Sequence, residues 1–399
     1  MISFVEALDK IVKNTPVLLA EEVGVTESVG RVLAQDICSP INMPPMDKSA
    51  MDGYAVNYKD AIRNNLTLKC GGVIQAGSAN QKSINEGQCV KIMTGAPIPK
   101  TADTVVMVEN TKNVDTRVKI LKPIKKGQNI CFKGEDITVN QKLLAKGKII
   151  SIADIALIAT TGKSFIKVIK KPTVAFLNTG DEIVPAGKKL PKNKIYNSNG
   201  PQLAALLSFD GISGKFLGIV KDKPEALTKT IKKGLNYDIL LISGGVSMGD
   251  YDFIPQILQT LKIRKIFHKV KIKPGKPLLV GKHKKTLIFG VPGNPVSNFT
   301  TYMLFIRTAI YKMMGYKNFM PQFKEGIIKK TVKRNPGRLH FVPVTVEKKN
   351  HKKYLTPPTS HGSADIVSLS QADGFMMVDA DKTLVKKNEK IKYIIWKKR

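Results

Sequence analysis

Carboxylates, glycines and lysines crowd into a few short stretches of this 399-residue chain. The stretch LLISGGVSMGDYDFI (residues 240–254) opens as an apolar run and then breaks into Ser243, Gly244, Gly245, Asp250 and Asp252. Adjacent glycines leave backbone amides uncovered, so an anionic group can approach closely. Two carboxylates beside a bound phosphate repel it unless a divalent cation intervenes, and magnesium binds through one or two carboxylates plus substrate phosphate. The same residues would also make a tight turn with a helix-capping aspartate. LNTGDEIV sets Thr179, Gly180, Asp181 and Glu182 directly after a second apolar run. KIKPGKPLLVG carries Lys273 and Lys276 on a turn defined by Pro274, Gly275 and Pro277, which suits an oxyanion or phosphate, or a solvated basic loop. FGVPGNPVSNF places Gly293, Asn294 and Ser297 where a strand gives way to a helix. Free N–H groups and the dipole at a helix start favour anions, although capping alone accounts for these residue types.

A second set lies nearer the amino end. MDKSAMDGYAV offers Asp47, Lys48 and Asp52, MTGAPIP offers Thr94, and KGEDI offers Glu135 and Asp136. Such loops could serve metal or general-base chemistry, but exposed acidic turns are common and on their own read as structural. The five histidines show no HxH or HExxH spacing. No Walker pattern occurs, and Ser243 lacks the framing of a nucleophile elbow.

The elements that must position these residues follow from composition and period. SFVEAL at the start has a capping-box spacing (Ser3, Glu6), with Val5, Leu8 and Val12 as the expected apolar stripe of a first helix. Residues 16–46 read as irregular. LTLKC, QCVKIM, TVVMVE and RVKIL are short β-type runs between turn residues, which predicts a small β-rich unit over 47–136. SIADIALIATTG (151–162) is helical. From Lys171 strands and helices alternate, which predicts a mainly parallel sheet covered on both faces, with ligands at the strands' carboxyl ends. The four loops of the first set are all expected there. From about Phe319 the chain returns to short strands, read as a small C-terminal β domain.

A chain of this length implies several domains. Its net charge of +34 is carried by residues beyond 110, as lysines scattered among apolar positions. That pattern predicts a solvated face that concentrates anionic substrates and no specific nucleic-acid site. Four separated cysteines without CxxC point to a reducing cytoplasm and away from zinc or a disulfide framework. No apolar run reaches membrane-spanning length, and the start reads as mature protein without a cleavable leader.

In order, MPPMDKSAMDGYAV, MTGAPIP, GEDI, NTGDEIV, YNSNGPQLAALL, ISGGVSMGDYDF, KIKPGKPLLVG and GVPGNPVSNF resemble the molybdopterin molybdenumtransferases, the MoeA/gephyrin E-domain family. The resemblance spans nearly the whole chain and is weakest at its carboxyl end. It implies an elongated multidomain α/β plus β protein. Its parts would be an extended linker domain (1–46 and 137–170), a β-rich lobe (47–136), a three-layer α/β molybdopterin-binding domain (171–318) and a C-terminal β domain (319–399). It also implies insertion of molybdate into adenylylated molybdopterin with release of AMP, assisted by Mg²⁺, in a homodimer whose cleft lies between subunits. By that resemblance Asp52, Asp136, Glu182 and Asp250 are catalytic, with Glu182 and Asp250 at the metal. Thr94, Thr179, Gly180, Ser243, Gly244, Gly245, Lys273, Lys276, Gly293, Asn294, Ser297 and Arg338 bind substrate. Arg338 lies in GRLHFVP, where His340 and Pro343 stand in place of an acidic residue and a second arginine often found in the family. Contact with other cofactor-biosynthesis proteins is a further implication. The rival readings are a molybdopterin adenylyltransferase and a non-catalytic scaffold of the same fold.

Overall fold

Residues 1–78, 83–246, 253–360 and 362–396 are described by the computed structural model. They divide into two units, Met1–Glu22 with Lys167–Arg399, and Val23–Ile166.

Helix α1 (Phe4–Asn14) starts with the reciprocal Ser3/Glu6 capping box. It buries Ala7, Leu8 and Ile11 in the larger unit's core, while Val5 is 72% exposed. The buried stripe is therefore rotated from the expected Val5–Leu8–Val12 line. Ala7 and Ile11 flank Leu8 at helical spacing, and the neighbouring core selects that face.

The 23–166 unit is built on a six-stranded sheet of β1 (Gly53–Val56), β2 (Thr67–Ile74), β3 (Gln88–Ile92), β4 (Thr104–Met107), β5 (Thr111–Val114) and β6 (Arg117–Ile120), in the order β4-β1-β3-β2-β6-β5. Here β2 and β3 run parallel and the other pairs antiparallel. Gly53, between two partner strands, has no room for a side chain, since a Cβ would stand 2.0 Å from the Val106 carbonyl oxygen. That close approach fixes where Asp52 leaves the sheet. Helix α2 (Ile152–Ala159) is capped by Ser151 and Asp154.

The larger unit holds the alternating region: β7 (Val174–Thr179), α3 (Asn199–Phe209), β8 (Gly214–Val220), α4 (Pro224–Gly234), β9 (Ile239–Ser243), α5 (Ile254–Thr260), β10 (Arg264–His268), β11 (Ile272–Lys273), β12 (Leu279–His283), β13 (Thr286–Val291), α6 (Pro295–Thr301) and α7 (Arg307–Met313). The sheet order is β8-β7-β9-β13-β12-β10; the first four strands run parallel, and β12 runs antiparallel to both of its neighbours, β13 and β10. Residues alternate between two apolar layers. Val174, Phe176, Ile239, Leu241 and Phe289 pack with Leu203, Leu207 and the α6–α7 segment. Ala175, Leu177, Leu240, Ile242 and Ile288 pack with Leu227, Ile231 and Ile257. Burial on both faces explains the unbroken apolar runs.

Strand β11 belongs to another sheet. It pairs in parallel with β15 (Leu339–Lys349), matching Ile272 with Leu339 and Lys273 with His340. The strands β14 (Lys324–Ile328), β15, β16 (Lys352–Thr356), β17 (Gly374–Val378) and β18 (Lys390–Ile395) close on themselves through a β15–β17 pairing, forming a small barrel. The expectation that all four anion-type loops sit at strand carboxyl ends of one sheet thus fails for KIKPGKP. This turn leaves the barrel's β11 and enters the amino end of β12. It reaches the same rim because β12 runs antiparallel, with Leu279 opposite Gly290.

Between α6 and α7 a π-helical turn (Tyr302–Ile306) interrupts the long helix. The Tyr302 hydroxyl donates to Asp210 at 2.9 Å, as do Arg307 Nε at 2.9 Å and the Tyr311 hydroxyl at 3.0 Å. The Asp210 side chain is wholly buried. Removing it strands a buried guanidinium and two phenols. Asp210→Ala is expected to lower unfolding free energy by about 3–5 kcal/mol, measured as a fall in urea midpoint at unchanged slope.

Candidate functional site

At the rim of the α/β sheet one buried hydroxyl joins the end of β9 to two helices. The Ser243 oxygen, at the carboxyl end of β9, accepts from Asn298 Nδ2 of α6 at 2.8 Å and from Asn199 Nδ2 of α3 at 3.1 Å. Asn199 Nδ2 also donates to the Gly293 carbonyl at 2.6 Å. Gly244 then turns with φ +104°, where a Cβ would lie 2.4 Å from the Thr179 carbonyl oxygen, so only glycine lets β9 end against β7. Its N–H donates to Val291 at 3.1 Å. On the outer strand, Thr179 gives its hydroxyl hydrogen to Asp222 at the end of β8.

These loops frame a cavity of about 810 Å³. Thr179, Gly180, Glu182, Ser243, Gly244, Gly245, Gly293 and Asn294 all line it, as the sequence leads one to expect. Ser243 does so as a scaffold, since it is 1% exposed and its hydroxyl is held by two amides. Asp250 and Asp252 lie outside the described residues. Asp222, Tyr196, Asn197 and Asn199 also line the cavity and were not singled out from sequence. The signal for Asp222 was present, because VKDK follows the apolar run GKFLGIV as NTGDE follows its own.

A second cavity of about 460 Å³ shares Pro277, Pro292 and Asn294 with the first. It lies between the α/β layers and the barrel, and gathers Lys273, Lys276, Ser297 and Arg338 with Lys333, Arg334 and His340. Among the described residues none of those lining it is acidic. The β11–β15 ladder explains the gathering, by placing Lys273 beside His340 and letting Arg338 donate to the Ile272 carbonyl at 3.2 Å. Burial, then the charges of Arg334, Lys273 and Arg338, push the His340 imidazole down to about 3. Arg334 Nε and His340 Nδ1 are buried without a hydrogen-bond partner. A group of cations with no acidic side chain among the described lining residues, and with Arg334 Nε unpartnered, suits a small oxyanion.

In the 23–166 unit the three acidic motifs interlock. Asp52 Oδ1 accepts from the Thr94 N–H at 2.6 Å and the Thr94 hydroxyl at 2.8 Å. Asp47 Oδ1 accepts from the Lys133 N–H at 2.7 Å, while Ile98 N–H reaches the Asp47 carbonyl at 3.0 Å. Asp136 is exposed, and its backbone N–H donates to the Met43 carbonyl at 3.0 Å. The Thr94 hydrogen bonds hold the Asp52 carboxyl below its usual range, the backbone bond first and the hydroxyl second.

Among the described residues no group of three or more His, Cys, Asp and Glu is placed to hold a metal ion. Glu182 and Asp222 do share one cavity, and two hard oxygen donors with room for phosphate and water fit magnesium.

Fold and site together define a multidomain α/β protein with a glycine-lined sheet rim and an adjoining basic pocket. Three family models match along the chain: "MoeA N-terminal region (domain I and II)" over residues 2–162, "Probable molybdopterin binding domain" over 175–312, and "MoeA C-terminal region (domain IV)" over 325–396. The chain is 33% identical over 379 residues to a protein named molybdopterin molybdenumtransferase from Staphylococcus aureus strain MSSA476, covering 94% of this chain and 90% of that one. A protein of the same name from Staphylococcus epidermidis (strain ATCC 12228 / FDA PCI 1200) is 34% identical over 384 residues, with 94% and 91% covered. The crystal structure of a molybdopterin biosynthesis MoeA protein from Pyrococcus horikoshii superposes with a TM-score of 0.87 at 30% identity, over 100% of both chains. The chain belongs to the MoeA family.

The Asp52–Thr94 pair yields a direct test. In Thr94→Val the hydroxyl bond is lost and the backbone bond kept, so the Asp52 carboxyl is expected to titrate at higher pH than in the parent protein. Carboxyl-carbon NMR of the two proteins reads this; coincident titrations would contradict the assigned cause.

Proposed function

We propose that this chain is a molybdopterin molybdenumtransferase, inserting molybdate into adenylylated molybdopterin and releasing AMP. The observation that carries the reading is the pairing of a glycine-lined rim cavity with a basic, acid-free cavity through shared walls at Pro277, Pro292 and Asn294. The larger cavity takes the pterin and its pyrophosphate linkage, with the bare backbone at Gly245 and Gly293 letting phosphate oxygens approach closely. The smaller one takes the tetrahedral dianion between Lys273, Lys276 and Arg338, with Ser297 at its wall.

Magnesium, held by Glu182 with Asp250 or Asp222, would supply neutralisation of charge as the phosphoanhydride opens. The lysines orient the oxyanion towards the pterin sulfurs, and the Ser243 node keeps the strand-end loops in register as the substrate enters. Asp52, Thr94 and Asp136 belong to the same reaction as the facing wall of the cleft, contributed by the partner subunit of a homodimer. Thr94 keeps Asp52 anionic and holds its carboxylate in one orientation. The division into linker, β-rich, α/β and C-terminal domains, and action in the cytoplasm, are parts of this reading. Among the described residues no helix is long and apolar enough to cross a membrane.

An adenylyltransferase reading would leave the interlocked acidic loops of the 23–166 unit without a task, and a pure scaffold would leave the matched pair of cavities unexplained.

Purified protein incubated with adenylylated molybdopterin, Mg²⁺ and molybdate is expected to release AMP and yield active cofactor. Lys273→Ala and Lys276→Ala should each raise the molybdate concentration for half-maximal release by roughly tenfold to a hundredfold, the worth of one charge-assisted hydrogen bond. An unchanged molybdate requirement in both variants would remove the basic cavity from the reaction. Light scattering should give twice the chain mass.

A further inference from the structure

The 23–166 unit carries a pair of thiols that this chemistry does not use. Cys70 on β2 and Cys89 on β3 are register partners in the parallel ladder, and both belong to one apolar cluster, so their side chains share a face. Neighbouring strands lie about 4.7–4.9 Å apart, within the roughly 4.4–6.8 Å between α-carbons that a disulfide spans. The Cys70 thiol is near enough to add to the upward shift that burial imposes on Cys89. The Cys70 thiol in turn reaches the Gly72 carbonyl at 3.6 Å, over a bulge that shifts the ladder between Cys70 and Val73. Cys89 is 1% exposed and Cys70 partly exposed, so an oxidant meets Cys70 first. Burial pushes the Cys89 thiol up to about 12, which disfavours Cys89 as the first thiolate to react. Cys38 and Cys131 sit on other ladders, opposite Lys142 and Lys48.

We propose that Cys70 and Cys89 are an oxidation site, converted by a peroxide into a reversible cross-strand disulfide. The Cys70 thiolate attacks the peroxide oxygen, giving a sulfenic acid and, for hydrogen peroxide, one water. The Cys89 sulfur then attacks the Cys70 sulfur, and the hydroxide that leaves carries away the Cys89 proton as a second water. Two thiols lose two electrons and the peroxide gains them; a dithiol reverses the bond by exchange. The cross-link closes the chain between the two cysteines into a ring. That ring contains Ile74, whose carbonyl accepts from the Met93 N–H at 3.0 Å, immediately before Thr94. Oxidation therefore clamps the segment that presents Thr94 to Asp52.

The test is native full-length protein treated with hydrogen peroxide, quenched by alkylation and mapped by mass spectrometry, with melting followed in parallel. Expected are a linked peptide pair containing Cys70 and Cys89, about two mass units below the sum of its reduced peptides. The oxidised protein should melt higher by on the order of 5 °C, and dithiothreitol should return both properties. Cys70→Ser should abolish the link and the shift, whereas Cys89→Ser should leave a Cys70 sulfenic acid that dimedone traps. Cys70 driven to sulfinic acid in the parent protein while Cys89 stays reduced overturns the proposal, as does a link that forms only after unfolding.

Discussion

Ser243 accepts hydrogen bonds from the amides of Asn199 and Asn298, and everything at the sheet rim depends on that contact. The two amides come from different helices, and the hydroxyl terminates the central strand β9. Three chain segments are thus fixed at one buried point, with the Gly293 loop tied in through Asn199. The node is only partly satisfied, since Asn199 Oδ1 and Asn298 Oδ1 are buried without a partner. It lets β9 and β13 end in bare glycine backbone without losing their positions, and bare backbone is what a phosphate-bearing ligand requires.

The same economy governs the basic cavity. Cations that repel one another are held by the β11–β15 ladder, in which two residues of the α/β region join the barrel sheet. The consequence is visible at His340, whose imidazole stays neutral under burial and its cationic neighbours. Such an arrangement is electrostatically unfavourable when empty, and a dianion relieves it.

Much of this was legible in the sequence. Apolar runs such as Val174–Thr179 and Ile239–Ser243 announce strands buried on both faces, and their glycine and acid endings mark the rim. Residues depending on long-range pairing were less legible. Lys273 and Lys276 reach the rim through an antiparallel strand, which local pattern does not reveal. Arg334 and His340 join them only because Ile272 pairs with Leu339. Asp222 escaped notice among flanking lysines, and Asn199 and Asn298 look like ordinary helix-start residues until Ser243 is seen between them.

The central claim is that the acidic loops around Asp52 act at the rim of a partner subunit. Asp52→Ala and Glu182→Ala chains, differently tagged and co-expressed, can be purified as the mixed dimer and assayed for AMP release. A site composed from two subunits leaves one of the two intact, so the mixed dimer should show about half the parent rate while each mutant homodimer is inactive. A mixed dimer as inactive as its parents would contradict the account.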